Sequence, residues 1–107
     1  LIIEPNEIKK IPTGIKSFFE KDEVLFLIVR SSTGFKYNIR LCNQVGVIDA
    51  DYYNNQNNEG HIWLKIQNEG KEKVIIPQGE AIVQGIFLKY LTTQSDKDRN
   101  IKRTSDY

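Results

Sequence analysis

The 107-residue chain has one cysteine, Cys42, so no internal disulfide is possible and a reducing compartment is the simpler setting. It has no excess of charge either way: 15 Lys and Arg stand against 14 Asp and Glu. The basic field that a duplex-binding protein needs is missing, and nucleic acid is not expected as a partner. No apolar run reaches the roughly 18 residues of a membrane span, and nothing looks like a signal peptide. Neither an internal repeat nor an amphipathic helix longer than a turn or two is visible. These absences predict a soluble, cytoplasmic, single-domain protein with no membrane partner. A chain this short buries only about two-thirds of the surface its unfolded form exposes, so association between copies would help it. It opens without Met, inside an apolar run (Leu1, Ile2, Ile3), and stops after a charged segment, which reads as a piece of a longer chain.

What is present has the periodicity of strands. "VLFLIV", residues 24–29, is short, continuous and apolar, as a fully buried strand would be. "HIWLKIQ" alternates: Ile62, Leu64 and Ile66 face one way, His61, Trp63, Lys65 and Gln67 the other. "KVIIP" and "AIVQGIFLKYL" supply two more strands, and Gly, Pro and Asn mark the turns between. Such spacing predicts an all-β jelly-roll-like barrel or sandwich over residues 1–95. Residues 96–107 are polar and have no core to join, which predicts a flexible C-terminal tail.

Three polar constellations interrupt the apolar pattern. In "VRSSTGFKYN", Arg30, Ser31 and Ser32 follow a strand; a guanidinium, two hydroxyls and the N–H groups of a turn suit phosphate oxygens. In "LCNQVGVIDADYY", the amide of Asn43 both donates and accepts. Asp49 follows Val47 and Ile48, where apolar neighbours can fix a carboxylate that takes a proton from water. Tyr52 adds a flat ring and a hydroxyl. In "PQGEAIVQGIF", Gln84 breaks an apolar row. Taken singly, each has a plainer reading: a solvated strand end, a hairpin whose Asx residues satisfy its own backbone, a half-exposed strand residue.

In order, R-S-S, N-x-x-G-x-I-D-x-D-Y and G-x-x-I-x-Q resemble the motifs of the trimeric dUTP diphosphatases (dUTPases). "IKKIPTGIKSFF" looks like the family's strand before its second motif, "RSSTGFKYNIRLCNQVGVIDADY" like its second and third in register, and "GEAIVQGIF" like its fourth. The resemblance implies hydrolysis of dUTP to dUMP and pyrophosphate by a homotrimer with sites at subunit boundaries. Asp49 would activate the water that attacks the α-phosphorus, and Tyr52 would pack under the deoxyribose. Asn43, Val47 and Ile48 would form a hairpin reading uracil's edge. Arg30, Ser31, Ser32 and Gln84 would hold the phosphates. Magnesium would bind mainly to the triphosphate, with no dedicated protein ligands. Arg103 and Tyr107 would close over the nucleotide as a lid.

The chain departs from the family pattern in places. A first motif like A-G-Y-D would precede Leu1. Ala81 stands where Arg is usual, Ser105 and Asp106 where two glycines are usual, and an insertion separates Tyr52 from Gly60. These departures leave two alternatives to weigh: a catalytically weak dUTPase-like nucleotide-binding or regulatory module, and a dCTP deaminase relative on the same fold.

Overall fold

The computed structural model describes residues 1–93. The chain runs β1 (Ile2–Ile3), β2 (Ile8–Pro12), β3 (Glu23–Val29), a helix α1 (Ser31–Tyr37), β4 (Ile39–Leu41) and β5 (Gly46–Asp49). A 3-10 turn (Ala50–Tyr52), β6 (Trp63–Asn68), β7 (Val74–Ile75) and β8 (Val83–Lys89) complete it. The pairings are antiparallel and give three sheets, ordered β1-β7, β2-β6-β4 and β5-β3-β8. The all-β, jelly-roll-like class expected from the sequence is the class observed.

Alternation in β6 works as its pattern requires. Leu64, Ile66 and Asn68 are buried, as is Ile62 just before the strand, while Lys65 between them is exposed. They join Ile3, Ile39, Leu41, Val74 and Ile76 in one core cluster, apart from Ile62 and Asn68. Asn68 is fully buried because its amide is spoken for on every side. Its Nδ2 donates to the carbonyls of Ile3 (3.0 Å) and Glu72 (2.8 Å), and its Oδ1 accepts from the Gly70 N–H (2.8 Å). A buried amide with these bonds made avoids the desolvation cost of an orphaned one.

β3 differs from its sequence expectation. It is the central strand of its sheet, yet only Val24 and Leu25 are buried; residues 26–29 are half-covered. The cause is β8, whose residues 84–89 are all exposed, so one flank of the sheet is uncovered by the described residues. The second difference is α1. Arg30 enters it with extended backbone, and Asn38 ends it at φ 55°, a left-handed conformation that Asn tolerates. Local propensity is poor, with Gly34 inside the helix. A long-range tie compensates: the buried Thr33 hydroxyl donates to the Ile82 carbonyl at 2.7 Å, which also accepts the Arg30 N–H at 3.1 Å.

The second core cluster is Phe19, Leu25, Ile48, Tyr52 and Ile62. Above it, residues 53–60 form a compact loop closed by its own backbone: Asn55 N–H to Tyr52 O (2.9 Å), Glu59 N–H to Asn55 O (2.8 Å) and Asn54 N–H to Glu59 O (3.0 Å). Asn54 and Glu59 have positive φ. Gly60 closes the loop at φ 85°, where an added Cβ would lie 2.6 Å from the Tyr52 carbonyl oxygen and 2.8 Å from the Asn54 nitrogen. Both contacts are with backbone, which cannot swing aside. Gly60→Ala should therefore cost at least about 2 kcal/mol. For a domain of this size, thermal unfolding should then fall by about 8 °C or more; an unchanged melting temperature would contradict the geometry.

Candidate functional site

β3 is the ruler along which the candidate residues are laid out. Asp49, the last residue of β5, pairs opposite Val24 near the start of β3. Gln84 on β8 pairs opposite Ile28 near its end, and Arg30 follows directly after the strand. From the level of Val24 to Arg30 is six residues, or about 20 Å of strand. Within one chain, Asp49 and the Arg30–Gln84 group therefore occupy opposite ends of the same sheet.

At the Arg30 end, one guanidinium nitrogen donates to the Ala81 carbonyl (2.9 Å). Ser31 and Ser32 are exposed in the first turn of α1, where N–H groups have no intrahelical acceptor. The exposed Gln84 reaches the Val29 carbonyl only loosely, at 3.4 Å. Ala81, too, is exposed, and the contact that it makes with Arg30 is through its main chain. Glu80 beside it accepts from the Tyr37 hydroxyl (2.9 and 3.0 Å). This corner gathers one cation, two hydroxyls and an amide on a surface that Thr33 pins in place.

At the Asp49 end, the carboxylate is half-buried on a residue of extended backbone that leads into the 3-10 turn. Ile48 beside it is buried and Val47 is exposed, as alternation on a strand demands. Asn43 is exposed on the turn before β5, and its carbonyl accepts the Val45 N–H (2.7 Å). That turn, with Gln44 at φ 66°, links two different sheets: β4 pairs with β6 and β5 with β3. It is thus a crossing between sheets, where the sequence suggested a hairpin.

Tyr52 is enclosed by its own chain. It is 1% exposed, walled by the second core cluster. Its hydroxyl donates to the His61 carbonyl (2.7 Å) and accepts from Asn58 Nδ2 (2.7 Å). Three residues 33, 58 and 60 thus support the site without having been singled out for it in the sequence; only Gly60, a glycine after an Asx-rich run, carried a visible turn signal. Arg103 and Tyr107 lie outside the described residues, as does the segment 96–107. Grooves among the described residues lie elsewhere. One of 610 Å³ runs between Tyr37 and Val74, and one of 280 Å³ lies beside His61 and Lys16. Neither is lined by Asp49, Arg30 or Gln84.

Comparison with known proteins bears on this arrangement. The dUTPase family profile matches residues 1–107. The deoxyuridine 5'-triphosphate nucleotidohydrolase of Lactococcus lactis is 46% identical over 95 residues, covering 89% of this chain and 63% of that protein. The protein of the same name from Desulfitobacterium hafniense is 38% identical over 104 residues, covering 91% and 65%. The chain thus spans just under two-thirds of the length of these relatives. The crystal structure of dUTPase from Streptococcus mutans superposes with a TM-score of 0.79 at 44% identity, covering 88% of this chain and 73% of that one. The dUTPase of phage phi11 of S. aureus, 18% identical, shares the fold at a TM-score of 0.72. With a profile match along the whole chain and relatives this similar in sequence and backbone, the chain belongs to the dUTPase family.

Proposed function

We propose that this chain forms most of a dUTP diphosphatase, which hydrolyses dUTP to dUMP and pyrophosphate. The observation that carries the reading is the setting of Asp49. It is a half-buried carboxylate held between a paired strand and a 3-10 turn, inside the I-D-A-D-Y sequence that the family resemblance marks as catalytic. Asp49 accepts a proton from a water molecule; the water oxygen bonds to the α-phosphorus, and the bond from that phosphorus to the bridging oxygen of pyrophosphate breaks. Arg30, Ser31, Ser32 and Gln84 hold phosphate oxygens with charge-assisted and neutral hydrogen bonds. Asn43 and the backbone at Val47 and Ile48 read the base. Tyr52, enclosed and doubly bonded, forms the rigid back of the sugar pocket beside Asp49. Arg103 and Tyr107 complete the site over the bound nucleotide.

Among the described residues, no three His, Cys, Asp or Glu side chains gather as a metal cage. The donor set suits an ion that brings most of its own ligands, such as Mg²⁺ on a triphosphate, where it neutralises charge on the phosphates. No helix among the described residues is long and apolar enough to cross a membrane.

The 20 Å between the two ends of β3 supports sites shared between copies of the chain, with the acid from one and the phosphate grip from another. The exposed apolar row on β8 supports a homotrimer: Ile86, Phe87 and Leu88 are 40–55% exposed in a single chain. A catalytically weak nucleotide-binding module is the second reading, favoured by Ala81, which gives the phosphate corner no second cation.

Asp49→Asn in the full-length protein should keep the fold and dUTP binding while lowering turnover by at least about 10²–10⁴-fold, as loss of a general base does. Pyrophosphate release from dUTP, dCTP and UTP measures this. Near wild-type turnover in the variant overturns the mechanism, and a wild-type protein that binds dUTP without hydrolysing it establishes the second reading. Light scattering at micromolar concentration should give the mass of three copies, and a stable monomer would overturn the shared sites.

A further inference from the structure

The insertion between Tyr52 and Gly60 contains four asparagines, and one of them does something that the loop itself does not need. Residues 53–60 are already closed by main-chain bonds among Tyr52, Asn54, Asn55 and Glu59. Asn58 adds to this closure with one end of its amide: Oδ1 accepts from the Gly60 N–H (3.1 Å) and from Asn55 Nδ2 (3.2 Å). Both partners are donors, which fixes the amide orientation and turns Nδ2 the other way. Nδ2 then donates to the Tyr52 hydroxyl at 2.7 Å. The hydroxyl in turn donates to the His61 carbonyl, also at 2.7 Å, while the His61 N–H donates to the Asn58 carbonyl at 3.0 Å.

The phenol is therefore held in a closed hydrogen-bond circuit, Asn58 on one side and His61 on the other. Tyr52 is the last residue of the turn that begins after Asp49. A shift of its ring moves that turn. Rejecting a sugar for one added hydroxyl by shape alone is demanding, because a yielding apolar wall discriminates poorly. Such a wall must hold its place against a neighbour as small as one oxygen atom, and packing alone permits small adjustments at modest cost.

We propose that Asn58 is a positioning residue for Tyr52, and that through the phenol it sets the discrimination between a deoxyribose and a ribose nucleotide. This rests on the reading of the chain as a dUTP diphosphatase with Tyr52 backing the sugar. The inserted loop then acts as a brace for specificity.

The test is steady-state hydrolysis of dUTP and UTP by the full-length protein. Asn58→Asp keeps an acceptor for Gly60 and Asn55 but cannot donate to the phenol; Tyr52→Phe removes the phenol oxygen and keeps the ring. Each should lower the ratio of kcat/KM for dUTP over UTP by about three- to tenfold, the factor that one neutral hydrogen bond supplies. The change should come from a lower KM for UTP. Because both variants cut the same link, the double variant should show no greater loss than either alone. Gln56→Ala, an exposed position in the same loop, should leave the ratio unchanged. An unchanged ratio in Asn58→Asp, even with a lower melting temperature, would make Asn58 a structural residue only and overturn the proposal. So would additive effects in the double variant. If Asn58→Asp fails to fold, Tyr52→Phe carries the test, and an unchanged ratio there overturns the proposal equally. Wild-type protein that does not hydrolyse dUTP overturns the functional reading, and the proposal with it. Wild-type hydrolysis with unchanged selectivity in both variants overturns the proposal alone.

Discussion

The register of β3 against its two neighbours is the constraint from which the rest of this molecule follows. Leu25 pairs with Ile48 on one side and with Phe87 on the other. That pairing turns Leu25 and Ile48 into the core with Phe19, Tyr52 and Ile62. A slip of one residue would send Val47 inward and Ile48 out, since side chains alternate faces. The 3-10 turn would then start from the wrong face, and Tyr52 would lose its bed. The same register determines how far Asp49 stands from Arg30. One set of backbone hydrogen bonds thus decides both what is buried and how the candidate groups are spaced.

The two ends of the sheet are made rigid by different means. At the Arg30 end, a single carbonyl, that of Ile82, uses both lone pairs to hold the backbone entering α1 and the hydroxyl of Thr33 within it. That fastening is polar and sits close to solvent. At the Asp49 end, the fastening is a buried aromatic ring whose only polar atom is satisfied from two sides. A short helix of poor intrinsic propensity and a tyrosine in an apolar cluster would each be unfavourable alone; the helix is held by a carbonyl far along the chain, the phenol by partners six and nine residues on.

What was legible in the sequence follows the same division. Alternation marked β6, and the continuous apolar run marked β3, because strand periodicity is local. The order of Arg30, Asp49, Tyr52 and Gln84 carried the family resemblance, since motifs are local too. The depth of Tyr52 was not legible, because it depends on Phe19 and Ile62, which no spacing brings beside it. Nor was α1: "SSTGFKY" has glycine and a β-branched residue, and the contacts that hold it, the Ile82 carbonyl on Thr33 and Tyr37 against the core, come from elsewhere in the chain. The half-covered state of β3 was hidden for another reason. An apolar run looks the same in sequence whether its own chain or another copy covers it. The asparagines of residues 54–58 looked alike as letters, and their different partners appear only once the loop is closed.

The exposed flank of β8 has a consequence for a chain on its own. Among the described residues β8 is an edge strand, and "VQGIFLK" is β-prone, apolar and almost uncharged, with Lys89 as its single charge. Edges of this kind template pairing with other chains unless they are blunted by charge, proline or a bulge. With β8 uncovered, a lone chain would therefore carry an aggregation-prone strand on its surface. Solubility of the protein becomes a question of timing, set by how soon that edge is covered after synthesis relative to how often two uncovered edges meet.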